Sequence, residues 1–192
     1  MTVWRMAVCI GALLAATCGL GVLSACSSTA SQLDTLTQAE PGPTRQRAMR
    51  RLNLASAYFE QGQSEVAQQE VRAALQIDPQ FPEAYSLLGL IHQRDKEPVL
   101  AEQSFQQALQ LASMPAIRAS EVAAIQHNYG WFLCEQNRFA QAQEQFSNAI
   151  SQPSYRQRDK TLKAIAFCQE RSNAKTDARK SNNWRTQKNF ED

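Results

Sequence analysis

The chain has 192 residues, 43% of them hydrophobic and 20% charged, a length and balance that suit one modest globular domain. Twenty Lys and Arg against eighteen Asp and Glu leave a formal charge of +2, which gives neither the basic excess of a nucleic-acid binder nor an acidic tail. The two histidines, His92 and His127, exclude a His-rich metal site, and a Cys/His zinc module lacks clustered partners. No metal, cofactor or nucleic acid is expected.

Residues 1–25 read as a secretory signal. Arg5 is the only charge before Asp34, and Met6 to Leu23 is apolar or small throughout. The run Leu23-Ser24-Ala25-Cys26 looks like a bacterial lipobox, in which Cys26 takes lipid on its sulfur and becomes the new N-terminus. The alternative is an uncleaved anchor, since the apolar run approaches the length of a membrane span. Several buried acyl chains, at about 0.8 kcal/mol per CH₂, hold a protein at a membrane far better than one. Ser27 after the lipid site favours the outer membrane, on its periplasmic face. Residues 26–43 form the lipidated cysteine and a Ser-, Thr- and Gln-rich tether ending in Pro41-Gly42-Pro43. As a flexible coil such a tether spans roughly 20–25 Å, and stretched it reaches about 60 Å.

From Arg45 onward apolar and small residues recur three and four apart, the helical period. A longer period lies over it. Leu54 and Leu88, Ala55 and Gly89, Tyr58 and His92, Ala67 and Ala101, Val71 and Phe105, and Ala74 and Ala108 are each 34 apart. A third copy follows after a step of 41, placing Tyr129, Gly130, Leu133, Ala142, Phe146, Ala149 and Ile150 in the same places. Ala55, Gly89 and Gly130 suit a close approach between the two helices of a hairpin, and Val71, Phe105 and Phe146 are larger plugs toward the core. Gly62 and Asn137 suit left-handed helix ends, Ser64 a cap for the second helix, and Pro98 a first turn. This pattern resembles the tetratricopeptide repeat, a 34-residue helix-turn-helix unit. The fold implied is an all-α superhelix of antiparallel helix hairpins, with three repeats plus a capping helix, over residues 44–172.

A fourth copy begins and does not finish. Ala164 is 34 after Gly130 and Phe167 is 34 after Leu133, but Thr176, Lys180 and Asn183 stand where the second helix needs small and aromatic residues. The expectation is one capping helix over about Asp159 to Ser172, then a frayed polar tail over 173–192.

Cys134 and Cys168 are also one period apart, and so share one spot on the first helices of neighbouring hairpins. In an oxidising periplasm a disulfide between them is expected; the alternative is two buried thiols. No Cys-x-x-Cys is present, which argues against a redox enzyme.

Stacked hairpins of this kind line a concave groove with their first helices, and such grooves take peptides or helices. The inward positions are Leu52, Ser56 and Phe59 in the first repeat, Ser86, Leu90, Gln93 and Arg94 in the second, and His127, Trp131 and Glu135 in the third. Leu52, Phe59, Leu90 and Trp131 fall off the packing positions and suit contact with a partner. No phosphate loop, carboxylate pair or nucleophile elbow is present, so the chain reads as a non-enzyme. A hydrolase built on Cys134 and His127 is the one catalytic alternative.

Beyond the repeats, three runs carry a narrower resemblance: Arg51-Leu52-Asn53-Leu54-Ala55-Ser56-Ala57-Tyr58, then Ala74-Leu75-Gln76-Ile77-Asp78-Pro79, then His127-Asn128-Tyr129-Gly130-Trp131-Phe132-Leu133-Cys134. With the lipobox, the tether and the arginines at 45, 47, 50 and 51, the chain resembles the PilF/PilW type IV pilus biogenesis lipoproteins. The resemblance implies an outer-membrane pilotin or assembly factor, and a monomer is expected. Its partner would be a subunit of the secretin, the ring through which the pilus leaves, or another pilus component. Members of that family usually carry about six repeats, so this chain is short for it. A general adaptor for another envelope machine is the alternative within the scaffold class.

Overall fold

Each hairpin is built on a stripe of small residues that lets two helices lie close together. The computed structural model describes residues 42–188, and the helices are α1 (Pro43–Glu60), α2 (Ser64–Ile77), α3 (Pro82–Arg94), α4 (Pro98–Ala112), α5 (Ala119–Glu135), α6 (Phe139–Ser151) and α7 (Arg158–Lys188). The signal, Cys26 and nearly all of the tether lie outside the described residues. No strand occurs among the described residues, and none of their helices is long and apolar enough to cross a membrane.

The second helices present one repeated stripe: Ala67, Val71 and Ala74 on α2, Ala101, Phe105 and Ala108 on α4, Ala142, Phe146 and Ala149 on α6, all fully buried. The residue opposite the plug sets how close the helices come. A methyl group added to Gly89 would lie 2.9 Å from the Phe105 ring, and one added to Gly130 would lie 2.8 Å from Phe146. In the first hairpin the plug is the smaller Val71, and alanine, Ala55, fits in the same buried cluster.

The three hairpin turns are alike. Gly62, Lys96 and Asn137 have φ of 80°, 62° and 60°. The amide after each donates back across the helix end: Gln63 to Tyr58, Glu97 to His92 and Arg138 to Leu133, at 2.8–2.9 Å. This is the bond that closes a helix through a left-handed residue. In the second turn this place is taken by Lys96, which the sequence does not single out. Its φ costs about 1–2 kcal/mol for an L-residue, and the turn holds it. Ser64 is the first residue of α2 rather than its cap, a place taken by Gln63 without a side-chain bond. Pro43, assigned to the tether, opens α1, where its missing amide is harmless.

The longer step before the third repeat falls at its junction. Relative to the first junction, α4 has one more residue, the loop two more, and α5 four more at its start.

The expected break near Ser172 is absent. α7 runs on to Lys188, so residues 173–188 of the expected tail are helical. Arg171 stands 34 after Asn137 but lies inside the helix, so no turn forms there. No Gly or Pro follows Pro153, and Ala, Lys, Arg and Gln favour helix. Lys175 lies 6.0 Å from the ring of Phe139, the first residue of α6, so from there α7 passes the end of its neighbour. Residues 173–182 are exposed.

Candidate protein-binding groove

The first helices α1, α3, α5 and α7 together wall two adjoining cavities. The larger, about 450 Å³, is lined by Leu90, His127, Asn128, Trp131, Lys160, Lys163, Ala164 and Phe167. The smaller, about 220 Å³, is lined by Leu52, Ser56, Glu83, Ser86, Leu87, Leu90, Ala124, Ile125 and Asn128. Leu90 and Asn128 border both, so the two form one groove across the first-helix faces.

Trp131 is half-buried, with its ring stacked on Phe167 at 5.3 Å and 22°. Leu90 is half-buried beside it, and Ser56 donates to the carbonyl of Leu52 at 3.0 Å. At the other end of these helices Arg94 lies 3.5 Å over the ring of Phe59 and donates to the Phe59 carbonyl. Gln93 donates to Glu135 at 2.5 Å. Phe59, Gln93, Arg94 and Glu135 thus engage one another in pairs and line neither cavity, a departure from the expectation that they face a partner.

Three more expected contact residues differ. Leu52, Ser86 and His127 are 7%, 3% and 5% exposed, so they form the floor rather than a contact surface. Leu52 is packed into the first core cluster with Ala55 and Leu87. Ser86 accepts from the Asn128 amide at 3.1 Å. His127 Nδ1 is 2.8 Å from the hydroxyl of Thr161, a fully buried residue that also meets the Tyr155 hydroxyl at 3.0 Å. In each case the neighbouring first helix covers the position, which a single repeat read alone does not show.

The electrostatics are set by burial. Burial, then the charge of Lys160, pushes His127 down to about 4, so its ring is neutral at neutral pH. Burial, then the charge of Glu121, pushes Glu83 up to about 7. Burial opposes ionisation of Glu121 as well. The hydrogen bonds from Arg118 outweigh it and hold Glu121 below the usual range: the Arg118 amide donates at 3.2 Å and its Nε at 2.9 Å. Arg45 fastens the start of α1 to the next junction, donating to Asp78 at 2.5 Å and to the Gln80 carbonyl at 2.8 Å, with its guanidinium 4.5 Å over Phe81. Arg51 pairs with Glu70 at 2.9 Å. Two of the four arginines of the first helix therefore hold the fold, while Arg47 and Arg50 are exposed.

Cys134 and Cys168 are bonded to each other, with Cα atoms 5.8 Å apart. The sulfur that a Cys134–His127 hydrolase needs is thus committed elsewhere, and the imidazole is held by Thr161. Among the described residues no cluster of His, Cys, Asp and Glu could hold a metal. Lys160, Lys163 and Phe167 were not foreseen as groove residues. The signal was present in Phe167, a large apolar residue one period after Leu133 on a helix with no second helix behind it.

Comparison with known proteins agrees with this architecture. Residues 55–96 match the TPR repeat family. Over 116 residues the chain is 29% identical to the type IV pilus assembly protein PilF of Pseudomonas aeruginosa, a match covering 60% of this chain and 43% of PilF. It is 29% identical over 148 residues to an uncharacterized protein of Haemophilus influenzae, covering 77% of this chain and 74% of that one. The solved structure of Pseudomonas aeruginosa PilF superposes with a TM-score of 0.58 at 28% identity, over 68% of this chain and 57% of that one. The crystal structure of PilW, a widely conserved type IV pilus biogenesis factor, gives 0.59 at 28% identity, over 67% and 56%. The chain therefore spans about half the length of the pilus proteins it matches.

Proposed function

We propose that this tetratricopeptide-repeat protein, whose relatives in sequence and in fold are the PilF and PilW pilus factors, is an assembly scaffold for a type IV pilus. It acts by binding rather than by catalysis, as a lipid-anchored protein on the periplasmic face of the outer membrane. Lipid on Cys26 holds it there, the tether of residues 26–43 gives it reach, and the groove along α1, α3, α5 and α7 holds a segment of a secretin subunit. Anchoring raises the local concentration of that partner, so a modest affinity suffices for assembly.

The observation that carries this reading is the joint likeness to PilF and PilW in sequence and in fold. The test is made in the host. Loss of the gene is expected to reduce the detergent-resistant secretin multimers of the outer membrane and to abolish surface pili. Cys26→Ala is expected to reproduce the loss by mislocalising the protein. Normal multimers and pili in the deletion strain would refute the pilus assignment. Outer-membrane recovery of the Cys26→Ala protein would refute the anchor.

A further inference from the structure

The array opens on a helix whose outer side is basic. At about 100° per residue, Arg47, Arg50, Arg51 and Leu54 share one arc of α1 about 100° wide. Ala48, Leu52 and Ala55 take the opposite side and are buried in the first core cluster. One period later the outer arc holds Phe81, Ala84, Tyr85 and Leu88, and in the third repeat Val122, Ile125, Gln126 and Tyr129. All eight are buried or half-buried, because a hairpin precedes them. Among the described residues no hairpin precedes α1, which packs only on α2 and α3. A terminal repeat needs polar residues on such a face, but it does not need them all of one sign. α1 carries four arginines and no acid before Glu60. Among the described residues no carboxylate pairs with Arg47 or Arg50, and Arg51, paired with Glu70, keeps its side chain 50% exposed. Leu54, beside them, is 40% exposed.

From this arrangement we propose that the outer arc of α1 docks on the surface of the anchoring membrane. Arg47 and Arg50 meet the phosphates of anionic phospholipids, and Leu54 enters the boundary between headgroups and acyl chains. The proposal rests on the lipid anchor on Cys26 put forward above. The tether after Cys26 ends where α1 begins, so α1 is the helix with the shortest covalent path to the lipid. As a coil that tether spans roughly 20–25 Å, and it keeps the membrane in reach at all times. Each arginine near an anionic surface favours the docked form about fivefold, and the tether supplies a standing effective concentration. Two free arginines therefore suffice, where an untethered protein would dissociate. A second copy of the chain fits less well, since a twofold contact sets these arginines against their own copies. Leu52 and Ser56 line the smaller cavity from the other side of α1, so docking leaves the groove open.

The test uses the chain purified from membranes and placed in phosphatidylcholine vesicles, with and without phosphatidylglycerol. Phenylglyoxal labels accessible guanidinium groups, and mass spectrometry reads each arginine. Labelling of Arg47 and Arg50 is expected to slow at least about fivefold when phosphatidylglycerol is present. Arg179, exposed on α7, should be labelled equally in both. Salt at about 1 M, which cuts the Debye length to about 3 Å, should abolish the difference. In Arg47→Gln/Arg50→Gln, with folding checked by circular dichroism, Arg51 should lose the slowing it shows in the parent chain. Equal labelling on the two vesicles, slowing that extends to Arg179, or the same slowing by inorganic phosphate without phosphatidylglycerol would each overturn the proposal. Slowing that follows protein density or added periplasmic extract instead would give the surface to a second copy or an acidic protein, and overturn it too. The anchor is scored separately, by the lipid mass on the purified chain. A chain found without lipid would sink the anchor, and selective slowing in it would still uphold the surface. A lipidated chain without selective slowing would do the reverse.

Discussion

His127 of α5 and Thr161 of α7 stand 34 residues apart and are joined by a 2.8 Å contact, and seven residues further along the Cys134–Cys168 disulfide repeats the same separation of 34. Two ties in one register seat α7 as the first helix of a fourth unit, although among the described residues that unit has no second helix. A buried hydroxyl and a covalent bond do here what apolar packing against a second helix does in the repeats before it.

The bridge therefore stabilises the end of the array. It closes a loop of 34 residues, and on the chain-entropy account this contributes about 3–4 kcal/mol. Reduction, or the Cys134→Ser/Cys168→Ser variant, is expected to lower the melting temperature and to raise amide exchange first in α7. Alkylation of the native, unreduced chain should label neither cysteine. Labelling of both before reductant is added, or an unchanged melting temperature on reduction, would count against this.

Stability should depend on pH through two groups of opposite sign. The Glu83 carboxyl rises from 4.5 to about 7 in the folded chain, so its contribution is fully present below pH 4.5 and is lost as pH rises through about 7. His127 falls from 6.5 to about 4, so its contribution is fully present above pH 6.5 and is lost as pH falls toward 4. Between about pH 4.5 and 6.5 the two slopes oppose each other, each at most about 1.4 kcal/mol per pH unit. Glu83→Gln should unmask a rise of stability with pH in that window, and His127→Gln a fall. Denaturation midpoints measured every half pH unit decide it; parallel curves for the three proteins would show that neither group is linked to folding.

Gly130 should not tolerate a side chain. A Cβ there meets the Phe146 ring at 2.8 Å, so Gly130→Leu is expected to lose about 1–3 kcal/mol or more by overpacking. Ala55 lies opposite a smaller plug, and Val71→Ala should instead open a hole, at about 2 kcal/mol. Urea midpoints give both values. An unchanged midpoint for Gly130→Leu would mean that the hairpin crossing is elsewhere.

Trp131→Ala should weaken partner binding while leaving the helical content intact. The indole is half-buried on Phe167 in the wall of the larger cavity, and removing an aromatic hot-spot anchor typically costs at least about 2 kcal/mol, roughly thirtyfold in affinity. Gln110, exposed on α4 away from both cavities, should be replaceable without effect. Undiminished binding by a folded Trp131→Ala protein would move the partner to the convex face or to α1.

Much of this architecture is legible in the sequence because close packing leaves a periodic trace. A glycine opposite a phenylalanine, or an alanine opposite a valine, must recur from hairpin to hairpin, and Gly89 with Phe105 and Gly130 with Phe146 do, across a step of 41 rather than 34. The 34-residue spacing places Cys134 beside Cys168. What is not legible depends on neighbours rather than on period. Lys96 takes a left-handed conformation that its residue type does not announce, and only its place between Gly62 and Asn137 marks it. Ser86 and His127 occupy inward positions, yet Asn128 and Thr161 of the next first helix cover them. The path of α7 beyond Ser172 follows from the absence of a breaker, a weaker sign than the polar composition that suggested a loose end.

The pairing of plug and small residue also fixes the unit that can be exchanged. Joining the first helix of one hairpin to the second of another would set Ala55 against Phe105, or Gly89 against Val71, giving a collision in the first chimera and a void in the second. Whole hairpins keep their partners. Recombination along this chain is therefore tolerated at the junctions between hairpins and penalised at the turns within them, so the array is divisible only in steps of two helices.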